Sequence, residues 1–346
     1  MVFLSIFVYF YNFIISFFLK KWSYSVVTLF YAPYFFFIIF FACSNLQALS
    51  VDYSTYVNWI SYIVTEDGSD YLDRKDPLFQ YLVTFFWMLF NNIDYILFAL
   101  ISISLFFKYI IGILFLSRDL LWLYFILIFS RLYILQDVTQ LRASLAISLC
   151  MVGYFFYSKK LKIFILPFVL AFFMHKSVII FLIILPLLKL RTFYEKKNLN
   201  LIIMSATILF YNFSSIITGV FFSKFVDSRV QVYADGNYVN NSTISIFSFY
   251  VLLKYAMLSM NYLIWDKLND NDKRINLFVA LGLIFQTIFA SNAVLGWRFS
   301  EILAFFDIFS LLMVFKYINK EIRYLYFMYC CLVGVFALYA TYFSQN

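Results

Sequence analysis

Charge is scarce in this chain. Asp, Glu, Lys and Arg make up 13% of its 346 residues, about half the share of an ordinary soluble domain, which excludes a soluble enzyme. Glycine (8) and proline (4) are scarce too. No long flexible linker can be built from so few, so residues 1–346 are read as a single integral membrane domain. Four cysteines (Cys43, Cys150, Cys330, Cys331) lie in or beside apolar stretches without metal-ligand spacing, and each is expected to act as small apolar filler. His175 is the one histidine, with no second His or nearby Cys, so neither a metal nor a cofactor is expected. What is abundant is apolar: 64% hydrophobic and 24% aromatic residues, with a mean hydropathy of +0.88. That composition belongs to an all-α polytopic membrane protein with lipid-facing Phe and interfacial Tyr and Trp. The start, "MVFLSIFVYF", has neither a basic n-region nor a small-residue cleavage site after it and is read as an uncleaved first helix.

A bilayer core needs about 20 apolar residues per helix. About twelve crossings can be laid out, at 2–19, 25–43, 93–116, 120–135, 143–157, 161–174, 177–190, 199–222, 244–265, 275–290, 299–318 and 322–342. The segment 77–90 is short and is expected to be a re-entrant or interfacial helix. The formal charge is +8, but the cations cluster between apolar segments, as orientation signals do, so no nucleic-acid partner is expected. Lys20–Lys21, Arg118, Lys159–Lys160–Lys162, Lys189–Arg191–Lys196–Lys197, Lys267–Lys273–Arg274 and Lys316–Lys320–Arg323 all fall on one side of this layout. The positive-inside rule makes that side cytoplasmic. Counting 77–90 as a crossing would break the agreement for every later loop.

The other side then holds the long loop 44–76, the turn Asn91–Asp94, the stretch Gln136–Arg142, the break at His175–Lys176, the loop 223–243 and the turn 291–299. Cations here oppose the orientation rule and need another reason. Arg142 opens "RASLAISLCMVGYFFY", His175 and Lys176 interrupt an apolar run, and Arg298 precedes "FSEILAFFDIF" with Glu301 one turn deeper. A guanidinium forks onto phosphate oxygens, and a helix N-terminus adds N–H donors aimed at the same anion. Arg142 and Arg298, joined by Lys176, are therefore the candidates for holding a lipid pyrophosphate. Membrane-edge anchoring explains any single one of them equally well.

In loop 44–76, Asp52, Tyr53, Tyr56, Trp59 and Tyr62 fall at helical spacing, so a short surface helix is expected there. Carboxylates beside flat aromatic faces suit sugar binding. An interfacial aromatic belt accounts for the Tyr and Trp as well. Asp67, Asp70 and Asp73 read as solvated loop, whereas Asp52 and Asp76 sit nearest the membrane edges. Asp76, Tyr56 and Trp59 are the glycan-contact candidates. Loop 223–243, with Asp227, Arg229, Tyr233, Asp235 and Tyr238, either selects substrate or simply connects, and Asn241-Ser242-Thr243 fits the N-glycosylation pattern. Lys254 and Asp307 lie within apolar segments and either pair with each other or line an aqueous cavity.

Taken in order, "SVDYSTYVNWI", "DPLFQYL", "LQDVTQLRASLAISL", "FFMHKSVIIFLIILPL" and "WRFSEILAFF" resemble the EpsG-like branch of the Wzy-type polysaccharide polymerases, over about residues 50 to 310. Asp52, Asp76, Arg142, His175 and Arg298 match that family's positions. Lys176, Glu301 and the loop tyrosines are added from the layout. Where the family often has Glu-Pro followed by Gly, and Arg-Gln-Gly, this chain reads Asp76-Pro77-Leu78 and Arg142-Ala143-Ser144.

The resemblance implies a fold like the C-type glycosyltransferases, set in the bacterial inner membrane with the active site on its outer, periplasmic face. It implies transfer of a glycan from undecaprenyl pyrophosphate to the next lipid-linked repeat unit, yielding O antigen, capsule or exopolysaccharide. The expected partners are that lipid-linked oligosaccharide, the membrane lipids, a chain-length regulator and a flippase. The general base is expected to be Asp52 first, then His175, then Glu301, which also suits orienting Arg298. A lipid-linked oligosaccharide flippase would instead show repeated halves and cations along a spanning cavity. An O-antigen ligase would share lipid, leaving group and fold type.

Overall fold

The computed structural model describes residues 1–19, 22–65, 76–190, 194–224, 243–319 and 321–343. Asp67, Asp70 and Asp73, the loop charges of 225–242, Asn241-Ser242 of the glycosylation pattern, and Lys20, Lys21, Arg191 and Lys320 lie outside them. Among the described residues there are helices and no strands. In hydrocarbon every backbone N–H needs a partner, and a helix supplies it within its own segment. In chain order the helices are α1 (Val2–Ser16), α2 (Tyr24–Ser44), α3 (Tyr53–Thr65), α4 (Pro77–Phe90), α5 (Ile93–Phe115), α6 (Arg118–Thr139) and α7 (Leu141–Ser158). There follow α8 (Lys162–Met174), α9 (Lys176–Leu187), α10 (Leu199–Asn212), α11 (Ser214–Lys224), α12 (Phe249–Leu263), α13 (Asp270–Ile288), α14 (Ala293–Tyr317) and α15 (Arg323–Phe343).

Among the described residues, five helices are long and apolar enough to cross a bilayer: α2, α5, α6, α7 and α15, or six if the bent pair α10–α11 counts as one span. The chain is a multi-pass membrane protein. Helix α4 has 14 residues, about 21 Å of rise, short of a hydrocarbon core of about 30 Å. Side-chain caps set several starts: Ser23 accepts from the Val26 N–H, and Asn92, Asn269 and Asn292 cap α5, α13 and α14.

Four boundaries differ from the sequence expectation. The crossing placed at 120–135 continues to Thr139 as a π-helix from Phe129, so Gln136 and Asp137 are buried in a helix and do not belong to an outer stretch. The crossing placed at 199–222 bends by 74° at Phe213. The helix placed at 244 starts at Phe249, because the Ile244 N–H donates to the Ala290 carbonyl at 2.7 Å instead. Helix α14 starts at Ala293, where Asn292 caps it, rather than at Phe299.

The chain packs as two compact units, residues 1–182 with 330–346 and residues 183–329. In the first, α5 and α7 run parallel: Ser104 Oγ meets Ser144 Oγ at 2.7 Å, and further on Phe115 stacks on Tyr154. Between them Lys108 Nζ donates to Asp137 Oδ1 at 2.6 Å and to Ser144 Oγ at 3.0 Å, and Ser104 and Ser144 donate to the same carboxylate oxygen. In the second unit Lys254 Nζ forks onto both oxygens of Asp307, at 2.6 and 2.7 Å. Of the two roles open to that pair, the direct ion pair is the one formed. Further along, Asn200, Asn276, Asn261 and Ser310 make a buried hydrogen-bonded chain.

Candidate functional site

Six of the expected site residues gather in the first unit around one carboxylate, that of Asp76. Asp76 precedes Pro77, which starts α4. The proline ring bars the ordinary helical conformation from the residue before it. Asp76 adopts φ 41° and ψ 63°, a left-handed conformation that costs a residue with a Cβ roughly 1–2 kcal/mol. Three contacts offset that strain. Arg142 Nη1 donates to Oδ2 at 2.7 Å, His175 Nδ1 lies 3.4 Å from the same oxygen, and the Lys176 backbone N–H donates to Oδ1 at 3.3 Å.

Each partner reaches Asp76 because its helix ends there. Arg142 is the second residue of α7, following the kink at Gln140 that closes the π-helix. His175 takes extended backbone geometry (φ −161°) between the end of α8 and the 3-10 turn that opens α9. Burial pushes the Asp76 carboxyl up, but the hydrogen bond and charge of His175, the Arg142 guanidinium and the Lys176 N–H outweigh it and hold it below the usual carboxylate value. Asp76 is therefore an anion at neutral pH.

Aromatic residues of α3 support the arginine. Its guanidinium lies over the Trp59 ring, 4.4 Å from the centroid, and Trp59 stacks on Phe79 of α4 at 5.1 Å and 4°. The Arg142 N–H points to the Tyr56 hydroxyl at 3.5 Å. Burial raises the Tyr56 pKa and Arg142 opposes the rise, so Tyr56 stays a neutral phenol. Asp52, half-buried before α3, caps that helix through its carbonyl to the Tyr56 N–H (2.9 Å), and its charge reaches the same phenol. The side chains of Arg142 and His175 keep 29% and 27% exposure, against 7% for Asp76. The cation and the imidazole are open to a ligand, and the carboxylate that aims them is not.

The structure differs from the sequence expectation at particular atoms. Lys176 meets Asp76 through its amide while its side chain is exposed. Asp76, expected to contact glycan, is taken up by Arg142, His175 and Lys176. Arg298 belongs to the second unit, exposed, in the second turn of α14. It is not at a helix start: the first N–H groups of α14 are those of Ala293 and Val294, and those of Leu295 and Gly296 donate to Asn292. Glu301 lies one turn further along, 9% exposed. Sequence reasoning passed over Lys108, Asp137, Ser104 and Ser144 as a group. A lysine inside the run "ISISLFFKYIIG" was the signal available.

Chemically, the first-unit cluster offers a planar cation with an unblocked edge at a helix start and an imidazole beside it. That is a place for an anion next to a proton acceptor. No curated protein and no solved structure matches the chain. The sequence profile of the EpsG family matches residues 28–346, and the chain belongs to that family.

Proposed function

We propose that the chain is a polysaccharide polymerase of the bacterial inner membrane, a glycosyltransferase with about twelve crossings and a C-type-like fold. On its periplasmic face it transfers glycan from undecaprenyl pyrophosphate to the next lipid-linked repeat unit, making O antigen, capsule or exopolysaccharide. The observation that carries this reading is Arg142 at the start of α7, stacked on Trp59 and aimed by Asp76, with His175 on the same carboxylate oxygen.

In the reaction, the acceptor hydroxyl oxygen bonds to the anomeric carbon of the donor sugar as the bond from that carbon to the pyrophosphate oxygen breaks. The electron pair leaves with undecaprenyl pyrophosphate, and the hydroxyl proton goes to a base. His175 is favoured over Asp52 for this role. Its Nδ1 faces the Asp76 carboxylate, which orients the ring and leaves Nε2 for the substrate. Arg142 offsets charge growing on the diphosphate, and Lys176 adds an exposed ammonium. Arg298 and Glu301 keep the roles that their family positions and spacing imply, diphosphate binding and general base or orienting carboxylate. Asp52, Tyr56 and Trp59 shape the glycan side. A chain-length regulator and a flippase are the proposed protein partners.

The test is the glycan profile of a strain lacking the gene, restored with single variants. Arg142→Ala and Arg298→Ala should leave single repeat units on the outer leaflet with the protein normally inserted. Removing one such donor costs roughly two to three orders of magnitude in rate. Arg142→Lys should also lose most activity, because an ammonium cannot fork onto two oxygens. Full-length polymer from the alanine variants would end this reading. A flippase defect would instead leave repeat units facing inward, and a ligase defect would leave long polymer on the lipid.

A further inference from the structure

On the face of α3 turned from Arg142, a groove with room of about 380 Å³ is lined by Tyr53, Val57, Trp87, Asn91, Asn92 and Asp94. That volume falls within the range of small-molecule sites, about 300–1,000 Å³. We propose that this groove is a glycan subsite, holding a neutral pyranose ring of the lipid-linked oligosaccharide beyond the diphosphate. The proposal rests on the polymerase reading above.

The lining has the chemistry of a sugar site. Tyr53 and Trp87 supply flat apolar faces for the C–H side of a ring. Asp94, Asn91 and Asn92 supply acceptors and donors for hydroxyls. These groups are held in place. The Tyr53 hydroxyl donates to Asp94 Oδ1 at 3.3 Å, and Asn92 Oδ1 accepts from the N–H groups of Asp94 and Tyr95 at 2.9 and 3.2 Å. The cap uses the Asn92 carbonyl and leaves its amide nitrogen out of the exchange. Asn91 is left-handed, φ 47° and ψ 35°, as an asparagine that ends a helix can be, and its N–H closes α4 on the Trp87 carbonyl at 2.8 Å. Among the described residues no cation lines the groove, so an acidic sugar would set its carboxylate against Asp94, whereas a neutral one would not. An interfacial belt accounts for the two aromatics, and helix capping for Asn91 and for the Asn92 side-chain carbonyl; neither calls for a carboxylate bonded to Tyr53 or for the Asn92 amide nitrogen beside it.

Geometry relates the groove to the clamp. From the Ser104–Ser144 contact, α5 runs back to Ile93 by about 16 Å and α7 runs back to Leu141 by about 5 Å, at 1.5 Å per residue. The two helices are parallel, so the start of α5, beside the groove, stands about 12 Å beyond the start of α7. Helix α4, about 21 Å long, joins the two levels with a left-handed residue at each end, Asp76 in the clamp and Asn91 in the groove. A glycan leaving a diphosphate at Arg142 would run along α4 and meet Trp87.

The test uses the full chain in lipid nanodiscs and two probes. One is the oligosaccharide released by mild acid from the host cell's own lipid-linked repeat unit, and the other is undecaprenyl pyrophosphate carrying no sugar. Trp87→Ala and Asp94→Asn should each weaken oligosaccharide binding roughly tenfold or more, the loss of one aromatic platform or one charged acceptor. Both should bind the bare lipid pyrophosphate as wild type does, and Trp87→Phe should keep the oligosaccharide. Arg142→Ala should show the converse pattern. Oligosaccharide binding unchanged in Trp87→Ala and Asp94→Asn overturns the proposal, as does loss of both probes together in either variant. If Arg142→Ala still holds the bare lipid pyrophosphate, the polymerase reading of Arg142 fails, while the oligosaccharide result stands by itself.

Discussion

Two carboxylates of the first unit each gather a cation and two further donors close to the start of α7, yet their surroundings differ. Asp137 takes Lys108, Ser104 and Ser144 on one oxygen, and the lysine and aspartate side chains are 1% and 0% exposed. Asp76 takes Arg142, His175 and the Lys176 amide, with more than a quarter of the Arg142 and His175 side chains open. The first cluster ties α5 to α6 and α7 with no surface for a ligand to touch. The second spends one buried carboxylate on aiming groups that remain reachable. Exposure of the cation, more than the strength of the pair, separates a structural ion pair from a binding one.

The largest effect should come from breaking the buried cluster. Lys108→Ala leaves the Asp137 charge sealed without its partner, which destabilises by about 3–5 kcal/mol. Thermal unfolding of the detergent-solubilised protein should show a large fall in Tm and little inserted protein. The double variant Lys108→Met with Asp137→Leu should recover most of that loss, because two apolar side chains leave no buried charge. A Lys108→Ala protein as stable as wild type would remove the contrast between the two clusters.

Arg142→Ala should give the opposite readout. Activity falls by roughly two to three orders of magnitude, while Tm falls less than in Lys108→Ala, since Asp76 keeps His175 and the Lys176 N–H. Asp76→Asn sits between the two. It removes a charge-assisted contact worth about 1.5–3 kcal/mol and frees Arg142 from its aim, so both activity and Tm should fall. The pH dependence follows from the lowered carboxyl pKa of Asp76. A depressed carboxylate stabilises the fold at any pH above its unfolded value, and that contribution is lost only as pH falls through the still lower folded value. The Tm gap between wild type and Asp76→Asn should therefore stay constant from pH 8 down to the ordinary carboxylate value of 3.8, and close below it. A gap that closed well above that value would mean that the fold does not hold the Asp76 carboxyl below its usual range.

The sequence announced the helices because long apolar runs in a membrane chain leave few alternatives. It misled where polar residues sit inside helices. Gln136 and Asp137 read as loop, since a polar pair usually ends a crossing, and the lysine that buries Asp137 lies on another helix. Asn292 was a readable cap signal, but "SNAVLGW" read as a turn, so Arg298 was placed at the wrong end of a turn of helix. Asp52, Asp76, Arg142 and His175 were legible one by one, from type, position and the order of the family's segments. That three of them share one carboxylate was not, because residues 76, 142 and 175 meet only through packing. The groove at Trp87 was hidden for the same reason: Tyr53 and Asn91–Asp94 come together only when α3 folds back over α4.

The smallest effect separates the two functions of Trp59. Its ring carries the Arg142 guanidinium, a contact worth about 0.5–1 kcal/mol at a partly exposed site. Its Nε1 is buried without a hydrogen-bond partner among the described residues, which costs about 1–3 kcal/mol. Trp59→Phe keeps a ring on Phe79, removes the unpartnered donor and weakens the cation contact. The gain is at least as large as the loss, so Tm should hold or rise slightly, and polymer synthesis should fall no more than about fivefold, the kinetic equivalent of 1 kcal/mol. Trp59→Leu removes the stack altogether and should lower both. If Trp59→Phe cost activity as heavily as Arg142→Ala, the indole N–H would have to meet the substrate itself. Trp59 would then belong with the groups that touch ligand rather than with those that aim them.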